Sequence, residues 1–309
     1  MPTRAQKATE GLITMPIVPI TKAIITAAGM GTRVLPATKA VPKEMLPVAD
    51  TPTIQYIAEE AAAAGITDIT VITSRTKRAI EDHFDDQPEL REALERKGDT
   101  EKLARINQPT ELAHFSFVRQ RAPLGLGHAV LMAKHVIGNE PFGVLLGDDL
   151  IVNPARPCLR QLMDVYERTG ASVIAVMRVP REKIPRYGMV AVDPAGQLDA
   201  RTFRVRDTVE KPPIEESPSD LAIMGRYVFT PRLFDILEET PPGAGGEIQL
   251  TDGIRELSRR EPLYAYEFEG TRYDIGDPVG LLTTSVAFAL ARDDMAPEVK
   301  EFLRTLKLD

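Results

Sequence analysis

The chain has 309 residues, with 38 Lys or Arg against 45 Asp or Glu, so its formal net charge is −7 at pH 7. Its 43% apolar and 27% charged residues exclude a largely disordered protein, and the length suits one large α/β domain or two smaller ones. The acidic balance argues against bulk binding to nucleic acid or to an anionic membrane. A single cysteine, Cys158, excludes an intrachain disulfide. We therefore expect a cytoplasmic protein without a membrane span, since no stretch approaches the roughly 18 uninterrupted apolar residues that a span needs.

The amino terminus is expected to be an extension, residues 1–20, outside the main domain. Its apolar run is interrupted by Pro16 and Pro19, which argues against a signal peptide. The domain itself is predicted to cover residues 21–309.

Short apolar runs alternate with helical patterns through the first half of the chain. A β-branched run at 23–27 predicts a buried strand, and Asp50 followed by Pro52 predicts the start of a helix that ends at Gly65. Further strands are predicted at 69–72, 115–119 and 144–146, with helices at 76–84, within the charged stretch 88–106, and near 127–136. This alternation predicts a mostly parallel sheet covered by helices on both faces, with ligands at the carboxyl ends of its strands.

Beyond residue 170 the pattern changes. Strands predicted near 173–179, 188–192 and 203–210 follow one another with turn residues between them, which favours antiparallel additions. Helices are predicted near 231–239, 249–259, 278–291 and 297–307. The predicted fold is a Rossmann-like α/β domain, whose mixed, mostly parallel sheet is flanked by helices and extended by antiparallel strands and C-terminal helices.

A glycine-rich turn follows the first predicted strand. Gly29 and Gly31 would let the backbone approach a ligand closely, although Gly-x-Gly alone is also compatible with an ordinary turn. Arg33 and Lys43 add two cations, which a polyphosphate would need. A dinucleotide fingerprint is excluded because Val34 replaces its third glycine, and the chain has no Gly-Lys pair for a P-loop.

The segment from Gly29 through Arg33 to Pro42-Lys43-Glu44-Met45-Leu46-Pro47 resembles the signature of the sugar-phosphate nucleotidyltransferases. It is most similar to the bacterial UTP–glucose-1-phosphate uridylyltransferases. Matching segments follow in the same order at 77–84, 146–149, 186–190, 209–212, 246–252 and 272–277, so the resemblance covers about residues 21–290. One departure is 73–76, where a glycine-containing turn would be expected.

The resemblance implies a nucleotide-binding half at about 21–150 and a sugar-phosphate-binding half at about 151–290, followed by C-terminal helices to 309. Gln120 is implied to contact the uracil. The implied nucleotide-binding residues are Ala28, Gly29, Gly31, Thr32, Glu44, Gln120 and Gly125. The implied sugar-phosphate-binding residues are Gly188, Glu210 and Lys211.

Asp148 follows a strand and a glycine at the edge of the sheet where ligands are expected. From the residues alone it could cap a turn or bind Mg²⁺, a hard cation that takes one or two protein oxygens beside phosphates. The resemblance favours the metal and implies Asp274 as a second metal-facing carboxylate, whereas Asp149 is expected to support a turn or a neighbouring group. Arg33, Lys43 and Lys211 are the implied catalytic cations.

The implied reaction is UTP + α-D-glucose 1-phosphate ⇌ UDP-glucose + pyrophosphate, with Mg²⁺ as cofactor and a homodimer or homotetramer as the assembly. Two alternatives remain open at this stage. One is the same chemistry with dTTP, because thymine and uracil differ by a single methyl group. The other is a catalytically silent paralogue that binds a UDP-sugar and regulates a partner.

Overall fold

The computed structural model describes residues 17–307, so residues 1–16 of the predicted extension lie outside the described residues. Within this range no helix is long and apolar enough to cross a membrane. The described strands are β1 (Lys22–Thr26), β2 (Pro47–Val48), β3 (Thr51–Pro52), β4 (Asp68–Thr73), β5 (His114–Arg119), β6 (Phe142–Leu146), β7 (Asp149–Val152), β8 (Ser172–Arg178), β9 (Gly188–Asp193), β10 (Thr202–Glu210), β11 (Leu221–Phe229), β12 (Leu263–Glu267) and β13 (Thr271–Asp274).

The helices follow the same chain order and lie between and after these strands. They are α1 (Thr53–Ala63), α2 (Arg78–Phe84), α3 (Pro88–Lys97), α4 (Thr100–Glu111), α5 (Leu126–Leu131), α6 (Lys134–Ile137), α7 (Cys158–Thr169), α8 (Arg232–Glu239), α9 (Leu250–Arg260), α10 (Pro278–Leu290) and α11 (Ala296–Thr305).

One sheet dominates the fold, in the strand order β5-β4-β1-β6-β11-β8-β12-β10-β9. The pairs β5–β4, β4–β1, β1–β6 and β8–β12 are parallel, and the pairs β6–β11, β11–β8, β12–β10 and β10–β9 are antiparallel. A further antiparallel pairing of β9 with β11 closes part of the sheet. The prediction of a mixed α/β sheet flanked by helices is confirmed. The predicted parallel majority is not found, because continuous parallel pairing is confined to β5-β4-β1-β6 and, of the later pairs, only β8–β12 is parallel.

Some local predictions fail for identifiable reasons. Asp50 does not cap α1: Pro52 occupies the cap position, and the Asp50 carboxylate pairs with Arg105 and Arg292 instead. The charged stretch forms two helices because Gly98 ends α3 in the left-handed conformation, with φ of 67°. Sequence analysis missed α7 and the strands β7, β11, β12 and β13.

Helices cover both faces of the sheet because neighbouring side chains on its parallel strands point to opposite faces. Ile25 of β1 belongs to a core that includes Ile54 of α1 and Leu159 of α7. The adjacent Ile24 belongs to a second core, which includes Leu237 of α8 and Ile254 of α9. The single cysteine, Cys158, is buried in the first core.

A buried ion pair ties the middle of the sheet to these helices. The Arg226 side chain on β11 is fully buried and donates to Glu60 Oε2 on α1, at 2.9 Å from Nε and 2.7 Å from Nη2. Arg226 also donates to the backbone oxygen of Asp149 at 2.8 Å, and Glu60 Oε1 accepts from the backbone N–H of Leu159 at 3.1 Å. This single cluster therefore fixes α1, β7, β11 and α7 relative to one another.

Replacing one partner of that pair should be costly. Glu60→Gln removes the carboxylate that pairs directly with the buried Arg226 guanidinium, so we expect the free energy of unfolding to fall by about 3–5 kcal/mol. Glu301→Gln is the matched control, because Glu301 forms an exposed pair with Arg304 and its loss should change stability by less than about 1 kcal/mol. Urea unfolding followed by circular dichroism measures both, and equal effects would contradict this role of the pair.

Candidate active site

The carboxyl ends of β1, β4, β5 and β6 meet at one edge of the sheet, where the glycine-rich turn leaves β1. Gly31 has φ of +68°, and a Cβ there would lie 3.2 Å from Lys43 Cβ. The Thr38 hydroxyl donates to the Gly31 carbonyl at 2.8 Å, which holds the following loop against the turn. Glycine is therefore required here both by the backbone conformation and by the close approach of Lys43.

Lys43 and Arg33 converge on the carboxylate that follows β6. The Lys43 ammonium lies 2.5 Å from Asp148 Oδ2, and Arg33 Nη2 lies 3.7 Å from the same oxygen. Burial acts to raise the pKa of Asp148, but the charge and hydrogen bond of Lys43, and then the charge of Arg33, lower it below its usual range. The structure thus brings together three of the predicted site residues, with an ionised carboxylate at their centre.

A second buried pair lies behind Lys43. The neighbouring Glu44 is buried, and both of its carboxylate oxygens accept hydrogen bonds from Lys77 Nζ at 2.7 Å. Burial raises the pKa of Glu44, opposed by the charges of Lys77 and Lys43. This pair anchors the short 3-10 turn Lys43–Met45 to the loop before α2. Sequence analysis assigned no role to Lys77, although it opens one of the matching segments.

A cavity of about 310 Å³ opens beside these charges, between the glycine-rich turn and α5. Its apolar wall includes Pro123, Leu126 and Leu146. The predicted site residues that line it are Ala28, Gly29, Lys43, Glu44, Gln120, Gly125 and Asp148. Gly31, Thr32 and Arg33 are not among the lining residues and lie on the turn that follows.

Gln120 enters this cavity with its amide already oriented. Its Nε2 donates to the Gly125 carbonyl at 3.0 Å and pairs with His128 Nδ1 at 2.9 Å, so both amide hydrogens are engaged. Burial lowers the pKa of His128, which suits a neutral ring that accepts at Nδ1. The side-chain oxygen of Gln120 is left to accept a hydrogen bond from a ligand. Sequence analysis did not identify this contact of His128.

The loop that carries Gly125 packs against a backbone strap at residues 247–248. A Cβ on Gly125 would lie 2.7 Å from the Ile248 carbonyl, and the φ of Gly125 is +102°. Ile248 donates to the Leu124 carbonyl at 2.8 Å and accepts from the Gly127 N–H at 2.9 Å. Any larger residue at position 125 would push the strap away from the cavity.

The predicted sugar-phosphate residues form a separate cluster where β9 and β10 pair. Gly188 lies opposite Glu210, and a Cβ on Gly188 would fall 3.1 Å from Glu210 Oε2. Thr251, which sequence analysis missed, donates to that oxygen at 2.7 Å, while Lys211 Nζ lies 2.8 Å from Oε1. Lys211 has φ of +45° and donates its backbone N–H to the Tyr187 carbonyl at 3.0 Å.

Asp274 lies at the end of β13, near Arg33. Its Oδ1 accepts from the Gly276 N–H at 3.0 Å, and its Oδ2 lies 3.6 Å from Arg272 Nη2. A Cβ on Gly276 would fall 2.7 Å from Arg33 Nη2 and 3.0 Å from Asp274 Oδ1. Arg33 therefore lies between the Asp148 carboxylate and the turn that carries Asp274.

The donor set at this edge suits only certain metals. Residues 17–307 contain no group of three or more His, Cys, Asp or Glu side chains that could hold a metal. A closed structural zinc site is thus not formed by these residues. Asp148 and Asp274 fit Mg²⁺, which takes one or two protein carboxylates and completes its shell with water and phosphate oxygens.

Asp149, the neighbour of Asp148, is directed into the protein. It is buried, and its oxygens accept from Arg272 Nε at 2.7 Å and from the Gly225 N–H at 3.0 Å. Burial raises its pKa, opposed by the charges of Arg272 and Arg226. Asp149 therefore supports the backbone at the strand end and leaves the ligand side to Asp148.

The chain is similar to known proteins over most of its length. A family model described as nucleotidyl transferase matches residues 22–289. The chain is 54% identical to the UTP–glucose-1-phosphate uridylyltransferase of Staphylococcus epidermidis, over 94% of this chain and 99% of that one. It is also 54% identical to the enzyme of the same name from Bacillus subtilis, over 93% of this chain and 97% of that one.

Solved structures give the same result. A UTP-bound UGPase from Acinetobacter baumannii superposes with a TM-score of 0.87 at 39% identity, covering 93% of this chain and 100% of that one. A UDP-glucose pyrophosphorylase complexed with UDP-glucose gives a TM-score of 0.80 at 42% identity, covering 88% of this chain and 100% of that one.

The buried pair behind Lys43 can be tested by removing its cation. Lys77→Met leaves Glu44 buried and unpaired, so we expect the free energy of unfolding to fall by about 3 kcal/mol. Lys39→Met is the control. Lys39 is exposed in the loop that leads to Lys43, so its loss should change the free energy of unfolding by less than about 0.5 kcal/mol. Chemical denaturation measures both variants. A Lys77→Met protein as stable as the control would show that Glu44 does not depend on Lys77.

Proposed function

The chain belongs to the nucleotidyl transferase family, and we propose that the cleft described above transfers uridylyl groups. The reaction is UTP + α-D-glucose 1-phosphate ⇌ UDP-glucose + pyrophosphate, the activity named for relatives that are 54% identical over nearly the whole chain. The observation that carries the assignment of the site is the convergence of Lys43 and Arg33 on Asp148 beside the cavity of about 310 Å³.

The chemistry is a direct displacement at phosphorus. A phosphate oxygen of glucose 1-phosphate attacks the α-phosphorus of UTP, a new P–O bond forms, and the bond to the β-phosphate breaks as pyrophosphate leaves. The nucleophile is already an anion at neutral pH, so the reaction needs no general base. Its barrier comes from bringing two polyanions together in line, which makes positioning and charge stabilisation the tasks of the protein.

Three cations of the chain supply that stabilisation in our proposal. Arg33 and Lys43 face the triphosphate, and Lys211, whose side chain is 58% exposed, faces the sugar phosphate. Lys43 is paired with Asp148, which holds its ammonium at the site. When bound, Mg²⁺ held by Asp148 and Asp274 adds positive charge at the phosphates.

The nucleotide is held by groups that line the cavity. We assign the free side-chain oxygen of Gln120 to the N3–H of uracil, because its amide hydrogens are engaged by Gly125 and His128. The backbone at Ala28, Gly29 and Gly125 completes this contact surface. On the turn that follows, we assign Gly31 and Thr32 to the phosphates, while Glu44 holds the nucleoside side of the site through its pair with Lys77.

The sugar phosphate is assigned to the cluster at the β9–β10 pairing. Gly188 gives the hexose access to the backbone, and Glu210 accepts hydrogen bonds from sugar hydroxyls. Thr251 fixes one oxygen of Glu210, so the carboxylate presents a defined face.

The same proposal divides the chain into a nucleotide-binding half at about 21–150 and a sugar-phosphate-binding half at about 151–290.

A homodimer or homotetramer in the cytoplasm is also part of the proposal. The late helices carry large apolar side chains that are well exposed in the single chain, including Val279 (70%), Leu282 (65%) and Phe302 (62%). Such a concentration of exposed apolar groups is typical of a surface that packs against another subunit.

The single buried cysteine supports the assignment to a reducing compartment.

The direct test measures pyrophosphate release with glucose 1-phosphate and Mg²⁺, comparing UTP with dTTP. We expect strong preference for UTP and loss of activity with EDTA. Comparable use of dTTP would contradict the uridylyl assignment. Both bases present the same N3–H, so a preference for UTP must come from packing that rejects the extra methyl group of thymine. Absence of release with either nucleotide, from folded protein, would favour a UDP-sugar-binding paralogue without activity.

Two substitutions should separate the roles of the charged groups. Lys211→Ala should raise KM for glucose 1-phosphate with little change in KM for UTP, costing about 2–4 kcal/mol in kcat/KM. Asp148→Asn should abolish turnover at every substrate concentration. Lys300→Ala, on exposed α11, is the control that should match the unmodified chain. Near-normal Mg²⁺-dependent activity of Asp148→Asn would overturn the metal assignment.

A further inference from the structure

A nearly buried guanidinium lies between the two halves of the proposed site. Arg272 on β13 has a side chain that is only 12% exposed. Its Nε donates to Asp149 Oδ1 at 2.7 Å, its Nη1 donates to the Tyr187 hydroxyl at 3.2 Å, and its Nη2 lies 3.6 Å from Asp274 Oδ2. It also lies over the Tyr187 ring, 5.4 Å from the ring centroid. One side chain therefore contacts two other segments of the chain as well as Asp274 on its own strand.

The first contact reaches the nucleotide side. Asp149 directly follows Asp148, and its second oxygen is held by the Gly225 N–H at 3.0 Å. With both oxygens engaged, the Asp149 carboxylate has one orientation, and the peptide that links it to Asp148 is held with it. The antiparallel pairing of β13 with β7 places Asp274 opposite Asp149. Arg272 thus fixes both candidate metal-facing positions at the same strand pair.

The second contact reaches the sugar-phosphate side. Tyr187 immediately precedes Gly188, and its carbonyl accepts the backbone N–H of Lys211 at 3.0 Å. Its hydroxyl and ring are both engaged by Arg272. Tyr187 therefore transmits the position of Arg272 to the two residues assigned to the hexose and its phosphate.

We propose that Arg272 is a positioning residue that sets the separation between the nucleotide side and the sugar-phosphate edge, acting through Asp149 and Tyr187. The inference rests on the proposed function, because in-line attack requires the two substrates to be held at a fixed distance. Arginine suits this task since its planar fork donates in several fixed directions at once. A lysine ammonium in the same place is a flexible point charge.

The arrangement differs from ordinary structural support. Replacing a residue that only stabilises the fold would lower the stability and weaken the binding of every ligand together. Replacing a residue that sets the position of Tyr187 should instead weaken the binding of ligands that occupy the sugar edge. It should leave unchanged the binding of ligands that occupy the nucleotide cavity alone. UMP and UDP-glucose provide this comparison. UMP carries only the nucleoside and its α-phosphate, whereas UDP-glucose also carries the hexose and the phosphate that comes from glucose 1-phosphate.

The experiment uses Arg272→Lys and Tyr187→Phe, with Arg178→Lys as the control on an exposed ion pair with Asp220. Calorimetry measures the binding of UMP and of UDP-glucose, and initial rates measure KM for each substrate and kcat. Urea unfolding reports stability. Tyr187→Phe removes only the hydroxyl, so it remains informative if Arg272→Lys folds poorly.

We expect both variants to weaken the binding of UDP-glucose about 10-fold while changing that of UMP less than about 2-fold. We expect Arg272→Lys to lower kcat about 10- to 100-fold with KM for UTP unchanged. Parallel weakening of UMP and UDP-glucose binding, or no change in either, would overturn the inference. Failure of the unmodified chain to bind UDP-glucose more tightly than UMP would also overturn it. If that chain binds UDP-glucose but releases no pyrophosphate, the proposed function fails. The ratio of the two affinities in each variant still tests the positioning role of Arg272.

Discussion

The fold depends on how a fully buried arginine is compensated. Arg226 lies in the middle of β11, at the junction of the parallel and antiparallel parts of the sheet, and its charge can be tolerated there only because Glu60 and two backbone oxygens surround it. One of those oxygens belongs to Asp149, so the helix α1 is coupled to the strand end that carries Asp148. The requirement to satisfy one buried cation thus determines where the central carboxylate of the site lies.

The site itself is organised as a chain of alternating charges. From Lys77 and Glu44 through Lys43 to Asp148 and Arg33, each cation is next to a carboxylate, and Arg33 leads on to the turn of Asp274. Beyond that turn, Arg272 continues the alternation to Asp149. Because the groups are mutually compensated before substrate binds, the protein can keep a high density of cations beside the nucleotide cavity without destabilising itself.

Part of the fold and of the candidate site could be predicted from the sequence. The features that could not be predicted depend on contacts between residues that are distant in the chain. The glycine-rich turn and Asp148 follow short strands, and Lys43 lies in the proline-containing loop after that turn, so local patterns located them. Arg226 and Glu60 are 166 positions apart in the chain, so no local sequence pattern predicts that they pair. Gly225 and Arg226 also interrupt an otherwise apolar run, which hid β11 from a reading based on hydrophobicity. His128 gave no signal because its role depends on Gln120 being folded against it.

In the proposed function, the contact between Gln120 and His128 links recognition of the base to the charge of an imidazole. A neutral ring accepts at Nδ1 and keeps the amide nitrogen of Gln120 turned toward it, so the amide oxygen faces the cavity. A protonated ring would donate there instead, and the amide would have to turn over and present its nitrogen to the ligand. Burial holds the pKa of His128 below its ordinary value, which favours the neutral ring. The polarity of the base pocket is therefore set by a residue that does not line it.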